Sequence, residues 1–375
     1  MFGREVVTIL DLQATKIEIV VAEKSVNDNV NILADVSNDY AGFVAGEFLD
    51  EGGLVESIDK AFNKAQEIYG RKIDSIVVGV PSEFCNYALK NLKADYSNKV
   101  VIKKRHIDEL FATLKDDEID EDYTVISKSP IYYVLDDGVQ TLYPEAEYTK
   151  MLGAKASCIL VKNSFINLIS EALDAHGVKD CSFVPVALAV DGMLLDEDVK
   201  QAGVVVVDFD YVSTSVTSFM GEGIVDLKTF PIGEGHILAD LVEVMKIGYY
   251  VAEELKKQII LTLQPNPMDV YEVVDESKTI TKLSASITNE IVLARLDSIA
   301  DIINNILINF QYRQDLTKPI YITGAGITGL KGIKNYLSKR LNRKCYILSP
   351  KQVEYSKPKY SHLIGLIKFA LATNI

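Results

Sequence analysis

Two aspartates stand where apolar runs end. Asp208 closes the four valines of residues 204–207, a stretch that belongs inside a sheet with no face toward water, and Asp11 closes a weaker copy of the pattern at residues 6–10. The carboxyl ends of strands are where an open α/β sheet meets its ligand, so both acids are candidates for a ligand-facing role. Each run continues through a short polar interruption into a second alternating strand. A third feature, Thr323-Gly324-Ala325-Gly326-Ile327-Thr328-Gly329-Leu330-Lys331-Gly332, follows a short strand at 319–322 and precedes a helix at 333–341. Such a unit places bare backbone beside whatever enters a cleft. The chemistry suggested is ligand holding by backbone and strand-end carboxylates. His236 is read as a cap or packing residue, because no cysteine, serine and acid constellation accompanies it.

The elements that must position these residues repeat. Strands at 6–10, 17–22 and 30–36, a helix at 51–69 with an apolar stripe from Leu54 to Ile68, and a buried strand at 73–80 form one α/β unit. Residues 87–173 differ in character. A helix at 106–115, an acidic run at 116–122, strands at 123–127, 131–135 and 154–161, and a helix at 164–175 read as an inserted α/β subdomain. The acidic run reads as a solvated loop rather than a metal site, since it has no defined ligand geometry. The second half is expected to open with a strand at 178–185 and to continue through helices at 186–195, from 236 and at 251–260. A mixed strand region at 270–283 and the longest helix, 287–310, come next. A strand at 344–348 and a helix at 360–372 close the chain. The expected class is a duplicated α/β core with a cleft between its halves.

At 375 residues the chain exceeds one ordinary core. A formal charge of −14, from 53 acids against 39 bases, argues against a nucleic-acid surface. Cys85, Cys158, Cys181 and Cys345 form no CxxC pair and read as isolated thiols of a reducing cytoplasm. No segment has the length and apolarity of a membrane span or a signal peptide.

In order along the chain, four stretches resemble the actin-like ATPase superfamily and, within it, the FtsA family of bacterial cell-division proteins. Pro231-Ile232-Gly233 with Ile237 and Asp240-Leu241 resembles that superfamily's second connecting segment. Ala252-Glu253 with Leu255-Lys256 resembles its AE-x-[IL]-K helix, whose acid and lysine lie near the nucleotide ribose. Residues 323–332 resemble its glycine-rich adenosine loop, and residues 358–370 the FtsA segment that returns to the first lobe. The insertion after Gly79-Val80-Pro81 also falls where FtsA carries its own subdomain. The resemblance implies a two-lobe ribonuclease H-like fold divided as follows: a first-lobe core at 1–82 completed by 345–375, an FtsA-type subdomain at 83–175, a second-lobe core at 176–244 completed by 290–344, and a small subdomain at 245–289.

It also implies Mg-ATP held by Asp11, Thr15, Lys16, Asp208, Gly233, Glu253, Lys256, Gly324, Ala325 and Gly326. Against this, the phosphate hairpins depart from the superfamily's pattern. Gln13 stands where the first has a glycine, and Asp208-Phe209-Asp210-Tyr211-Val212-Ser213-Thr214-Ser215 lacks any of the second's glycines. Asp210 and Tyr211 are expected to bring a carboxylate and a ring toward the phosphates, which costs on the order of 1 kcal/mol or more, and β-branched Val212 to strain a turn that wants positive φ. Two readings stay open, a pseudo-ATPase with a decayed cleft or an adenine-nucleotide site that handles phosphate differently. Ordinary structural roles also stand: Asp11 and Asp208 as turn caps, Glu253 and Lys256 as a helical surface pair.

The resemblance implies a cytoplasmic scaffold that self-associates in actin fashion, binds an FtsZ-like tail peptide or other division proteins, and reaches the membrane by a carboxyl-terminal amphipathic helix after a linker. No linker or basic amphipathic segment follows the closing helix before Ile375, which leaves two expectations open, a tail removed from this sequence or recruitment to the membrane through a partner, with no direct anchor visible. The alternatives are a PilM-like scaffold of a pilus or secretion assembly, an FtsA that polymerises with ATP, and a sugar or acetate kinase, the last requiring intact phosphate loops.

Overall fold

The computed structural model describes residues 6–25, 29–114, 120–275, 277–310 and 318–375. By internal contacts the chain forms two compact units. The first comprises Met1–Gly203, Thr217–Leu227 and His362–Ile375; the second comprises Val204–Val216 and Lys228–Ser361.

The first sheet is ordered, by strand, 30–39, 16–24, 6–12, 75–80, 180–185. Val6–Leu12 pairs antiparallel with Lys16–Lys24 and parallel with Ser75–Val80. Its crossover helix, Glu51–Tyr69, starts where the Asp50 side chain accepts from the Gly53 N–H and stops at Gly70, whose φ of 70° ends the helix in a left-handed turn. Leu54, Ile58, Ala61, Phe62 and Ala65 bury one stripe of that helix. The strand expected to open the second half, Asp180–Pro185, instead pairs parallel with Ser75–Val80 and completes the first sheet. Its composition fits either sheet.

The inserted sheet is ordered 85–101, 148–162, 123–135, 140–141. Tyr148–Lys162 pairs antiparallel with both long neighbours. The two strands expected at 123–127 and 131–135 are one, Tyr123–Leu135, whose register shifts beside Pro130, a residue with no N–H for the ladder. Cys85–Val101, unanticipated, is rich in lysine and asparagine because much of it stays exposed or half-buried. Residues 115–119, which include most of the acidic run, lie outside the described residues.

The second sheet is ordered 223–230, 214–220, 204–209, 320–323, 345–347. Numbered within each half, both five-stranded sheets read 3-2-1-4-5, so the duplication extends to the full strand order. The long helix Ala285–Asn309 buries Val292, Leu296, Ile299 and Ile303 in the core of the second unit. The cysteines are free thiols. Among the described residues, no helix is long and apolar enough to cross a membrane.

Candidate functional site

In the first unit, Asp11 lies opposite Glu18 in the antiparallel pair. The turn closes through the Gln13 N–H, which donates to the Lys16 carbonyl at 3.0 Å. Asp11 is fully buried, Thr15 is exposed at the apex and Lys16 is half-buried. The Gln13 carboxamide nitrogen donates to Asp11 Oδ2 at 2.9 Å and to Glu18 Oε2 at 3.1 Å, so one NH2 group bridges two carboxylates. Tyr40 fastens the same turn: its hydroxyl donates to the Gln13 carbonyl at 2.8 Å and its N–H to the Thr15 carbonyl at 3.1 Å. Burial, and after it the Asp11 charge, pushes the Glu18 carboxyl up to about 7. Burial together with the charges of Asp11 and Glu83 raises the Tyr40 hydroxyl well above its ordinary value. The turn is thus an acid cluster tied together by the Gln13 side chain.

In the second unit the hairpin loop closes through the Asp210 N–H, which donates to the Ser213 carbonyl at 3.0 Å. None of residues 210–213 has a positive φ, so the strain expected at Val212 is absent; the loop closes with ordinary right-handed or extended backbone. The loop carbonyls turn into the start of the helix Glu234–Met245. The Glu234 N–H donates to the Asp210 carbonyl at 2.9 Å and the Gly235 N–H to the Tyr211 carbonyl at 2.8 Å. Two of the helix's unpaired N-terminal donors are therefore capped by the protein's own backbone. His236 completes the cap, its Nδ1 accepting from the Gly233 N–H at 3.2 Å. The approach is close enough that a Cβ on Gly233 would stand 2.4 Å from the Asp210 oxygen.

The Tyr211 ring, expected to point toward a phosphate, lies against Gly235, and its hydroxyl shares a 2.6 Å hydrogen bond with that of Tyr249. Glu253 stands beside Tyr249; burial, then Tyr211 and Glu253, holds the Tyr249 hydroxyl protonated well above its usual range. Lys256 does not pair with Glu253 on a surface. It is 5% exposed, its ammonium meets the Glu234 carboxylate, and it donates to the Thr328 carbonyl at 3.4 Å. Burial, with Lys257 nearby, pushes the Lys256 ammonium down to about 8. Glu234 in turn sits in the first turn of its helix, where the macrodipole favours an anion.

Gly324, with φ of 100°, and Gly326 lie on the backbone of residues 208–210. A Cβ on Gly324 would stand 2.3 Å from the Phe209 oxygen and 2.4 Å from Asp208 Oδ1. Ala325 begins a single 3-10 turn, Ala325–Ile327, that contains Gly326. Asp208, half-buried, pairs in register with Thr323.

Asp208, Gly233, Lys256 and residues 324–326 are thus brought together in the second unit, with Glu253 one turn away on the Lys256 helix. Asp11, Thr15 and Lys16 share one turn of the first. Sequence reading missed Glu18, Tyr40, Glu234 and Tyr249. Glu234 carried a usable signal, an acid directly after a helix-capping glycine. Glu18 and Tyr40 become legible only once strand register is known.

No protein-family model matches the chain. It is similar to the cell division protein FtsA of Bacillus subtilis (strain 168), 22% identical over 377 residues, covering 99% of this chain and 84% of that protein. Among solved structures it is similar to a chain of the PilM-PilN type IV pilus biogenesis complex, with a TM-score of 0.62, 12% identity and 97% of each chain covered. It is also similar to MreB 5 of Spiroplasma citri bound to AMPPNP, with a TM-score of 0.58, 12% identity, and 99% and 98% of the two chains covered. The near full-length likeness to FtsA and the duplicated sheet order of an actin-like two-lobe fold are consistent with a divergent FtsA-like protein.

Proposed function

We propose that this protein is an FtsA-like actin-fold scaffold of bacterial cell division that works without hydrolysing ATP. The observation that carries this reading is the capping of the Glu234 and Gly235 amides by the carbonyls of Asp210 and Tyr211. Amides at that helix start are the donors a phosphate chain would use, and here they are spent internally. Lys256, the cation expected near a nucleotide, faces the chain's own Glu234. At the other turn a phosphate would approach Asp11 and Glu18, joined by Gln13, rather than a glycine backbone. This donor set does not fit Mg-ATP held in the usual way.

Titration calorimetry with Mg-ATP tests the reading. The expected result is no heat of binding at micromolar nucleotide and no phosphate release above buffer. Micromolar affinity with turnover overturns it.

On this reading residues 83–175 act as the FtsA-type subdomain and 245–289 as the small subdomain, the protein acts in the cytoplasm and at the membrane through partners, and the partner is a division protein or an FtsZ-like tail peptide. The similarity to PilM favours one second reading, a scaffold that takes a peptide from a pilus or secretion assembly. Affinity capture separates the two: division proteins support the first, pilus or secretion proteins the second.

A further inference from the structure

A groove in the first unit, unrelated to the phosphate hairpins, runs along the helix Asn163–Asp174. Two hollows share Leu168. One, of about 490 Å³, lies between this helix and Glu51–Tyr69 over Val55, Leu168 and Ala172. The other, of about 270 Å³, continues past the amino end of the same helix over Phe48, Phe84 and Phe165. Its floor is aromatic, with the Phe48 and Phe165 rings stacked at 5.7 Å and Phe48 and Phe84 at 4.8 Å. From Lys162 to His176, which line its two ends, the groove follows roughly 20 Å of helix, the length of three to four turns of a partner helix.

The walls are one-sided in charge. Glu47, Glu51, Glu56, Asp59 and Glu171 line the groove, against Lys162 and His176. Glu56 contacts Lys60, and Asp59 contacts His176 at 3.2 Å, but the acid of each pair is more than half exposed. Exposed pairs are worth only tenths of a kcal/mol and leave those acids open to competition. Among the described residues, Glu47, Glu51 and Glu171 are in no ion pair. An apolar floor of helix length between acidic walls, on a chain of net charge −14, disfavours an acidic segment and a second copy of this chain alike.

We propose that this groove docks a basic amphipathic helix of a partner protein, with aliphatic or aromatic side chains on the Phe48, Phe165, Leu168 and Val55 floor and lysine or arginine against the flanking carboxylates. This inference does not rest on the proposed function and stands or falls apart from nucleotide binding.

The test uses the full chain and a fluorescein-labelled helical peptide of about 16 residues, with leucine and phenylalanine on one face and lysine and arginine on the other. Its twin carries glutamate in place of every base. Fluorescence anisotropy is expected to give micromolar affinity for the basic peptide, weakened by added salt, and at least about tenfold weaker binding of the twin. Reversing three groove acids (E47K, E51K and E171K) is expected to lower affinity at least about tenfold with an unchanged Tm. Leu168→Asp is expected to do the same from the floor. The same charge change made elsewhere (E243K, E254K and E290K) should leave affinity unchanged. Equal binding of the twin, equal loss in both triple variants, no binding of the basic peptide, or occupation of the groove by a second copy in sedimentation would each overturn the proposal.

Discussion

Gln13 holds two carboxylates within hydrogen-bond reach of one nitrogen, and near neutrality one of them keeps its proton. Because the Glu18 pKa is raised in the folded chain to about 7 from 4.5, the fold binds a proton that the unfolded chain has released between those values. The stability from that proton is complete below about pH 4.5 and is lost as pH rises through 7. Glu18→Gln removes the linkage and still offers Gln13 an acceptor. It is expected to flatten this part of the pH dependence and to raise stability above pH 7 by about 1–3 kcal/mol, read from urea melts between pH 5 and 8. A lower stability of the variant at pH 8 would count against this. Gln13 and the missing glycines were visible in the sequence as departures from a pattern. What those departures do was not, since Asp11 meets Glu18 only through antiparallel register, and Tyr40 reaches the turn from a third strand.

Helix starts and glycine turns divide similarly into legible and hidden parts. Glu51–Tyr69 was readable to its ends because Asp50, the apolar stripe and Gly70 are all local signals. The glycines at 324 and 326 were readable as a tight loop, but their packing on residues 208–210 was not, because it joins strands more than a hundred residues apart in sequence. They serve close contact within the protein whether or not a ligand is present. Gly324→Ala places a methyl group in a left-handed turn and against the Phe209 carbonyl. It is expected to lower stability by about 3 kcal/mol in nucleotide-free protein, measured by thermal or chemical melts. An unchanged Tm without nucleotide would mean that the glycine is kept for a ligand.

At the scale of the molecule, the order of the two sheets was foreshadowed by two acid-ended hairpins, yet the boundary between units was not. Asp180–Pro185 is buried only at Val184 and Pro185, and nothing in its composition says which sheet it joins. The hairpin 214–230 has a similar ambiguity. It belongs to the second sheet by pairing, while Thr217–Leu227 belongs to the first unit by contact. There Ser157 Oγ donates to the Ile224 carbonyl at 2.6 Å, the Tyr87 hydroxyl to Asp226 at 2.7 Å, and the Glu222 N–H to the Pro130 carbonyl at 3.0 Å. Amide hydrogen exchange is expected to show residues 217–227 opening together with the strand Tyr148–Lys162, and Tyr87→Phe with Ser157→Ala to speed exchange in both. Exchange of the hairpin tip at its own rate in the parent chain would contradict that coupling.

The shared bonds at the hairpin tip bear on how freely such a chain can be cut or recombined. Removing residues 86–162 would take the Tyr87 hydroxyl from Asp226, which is 2% exposed, and the Ser157 hydroxyl from the Ile224 carbonyl. A shortened protein would need a rewritten tip as well as a closed gap. Residues 86–162 and the eleven residues 217–227 therefore have to match one another although they lie apart in the sequence.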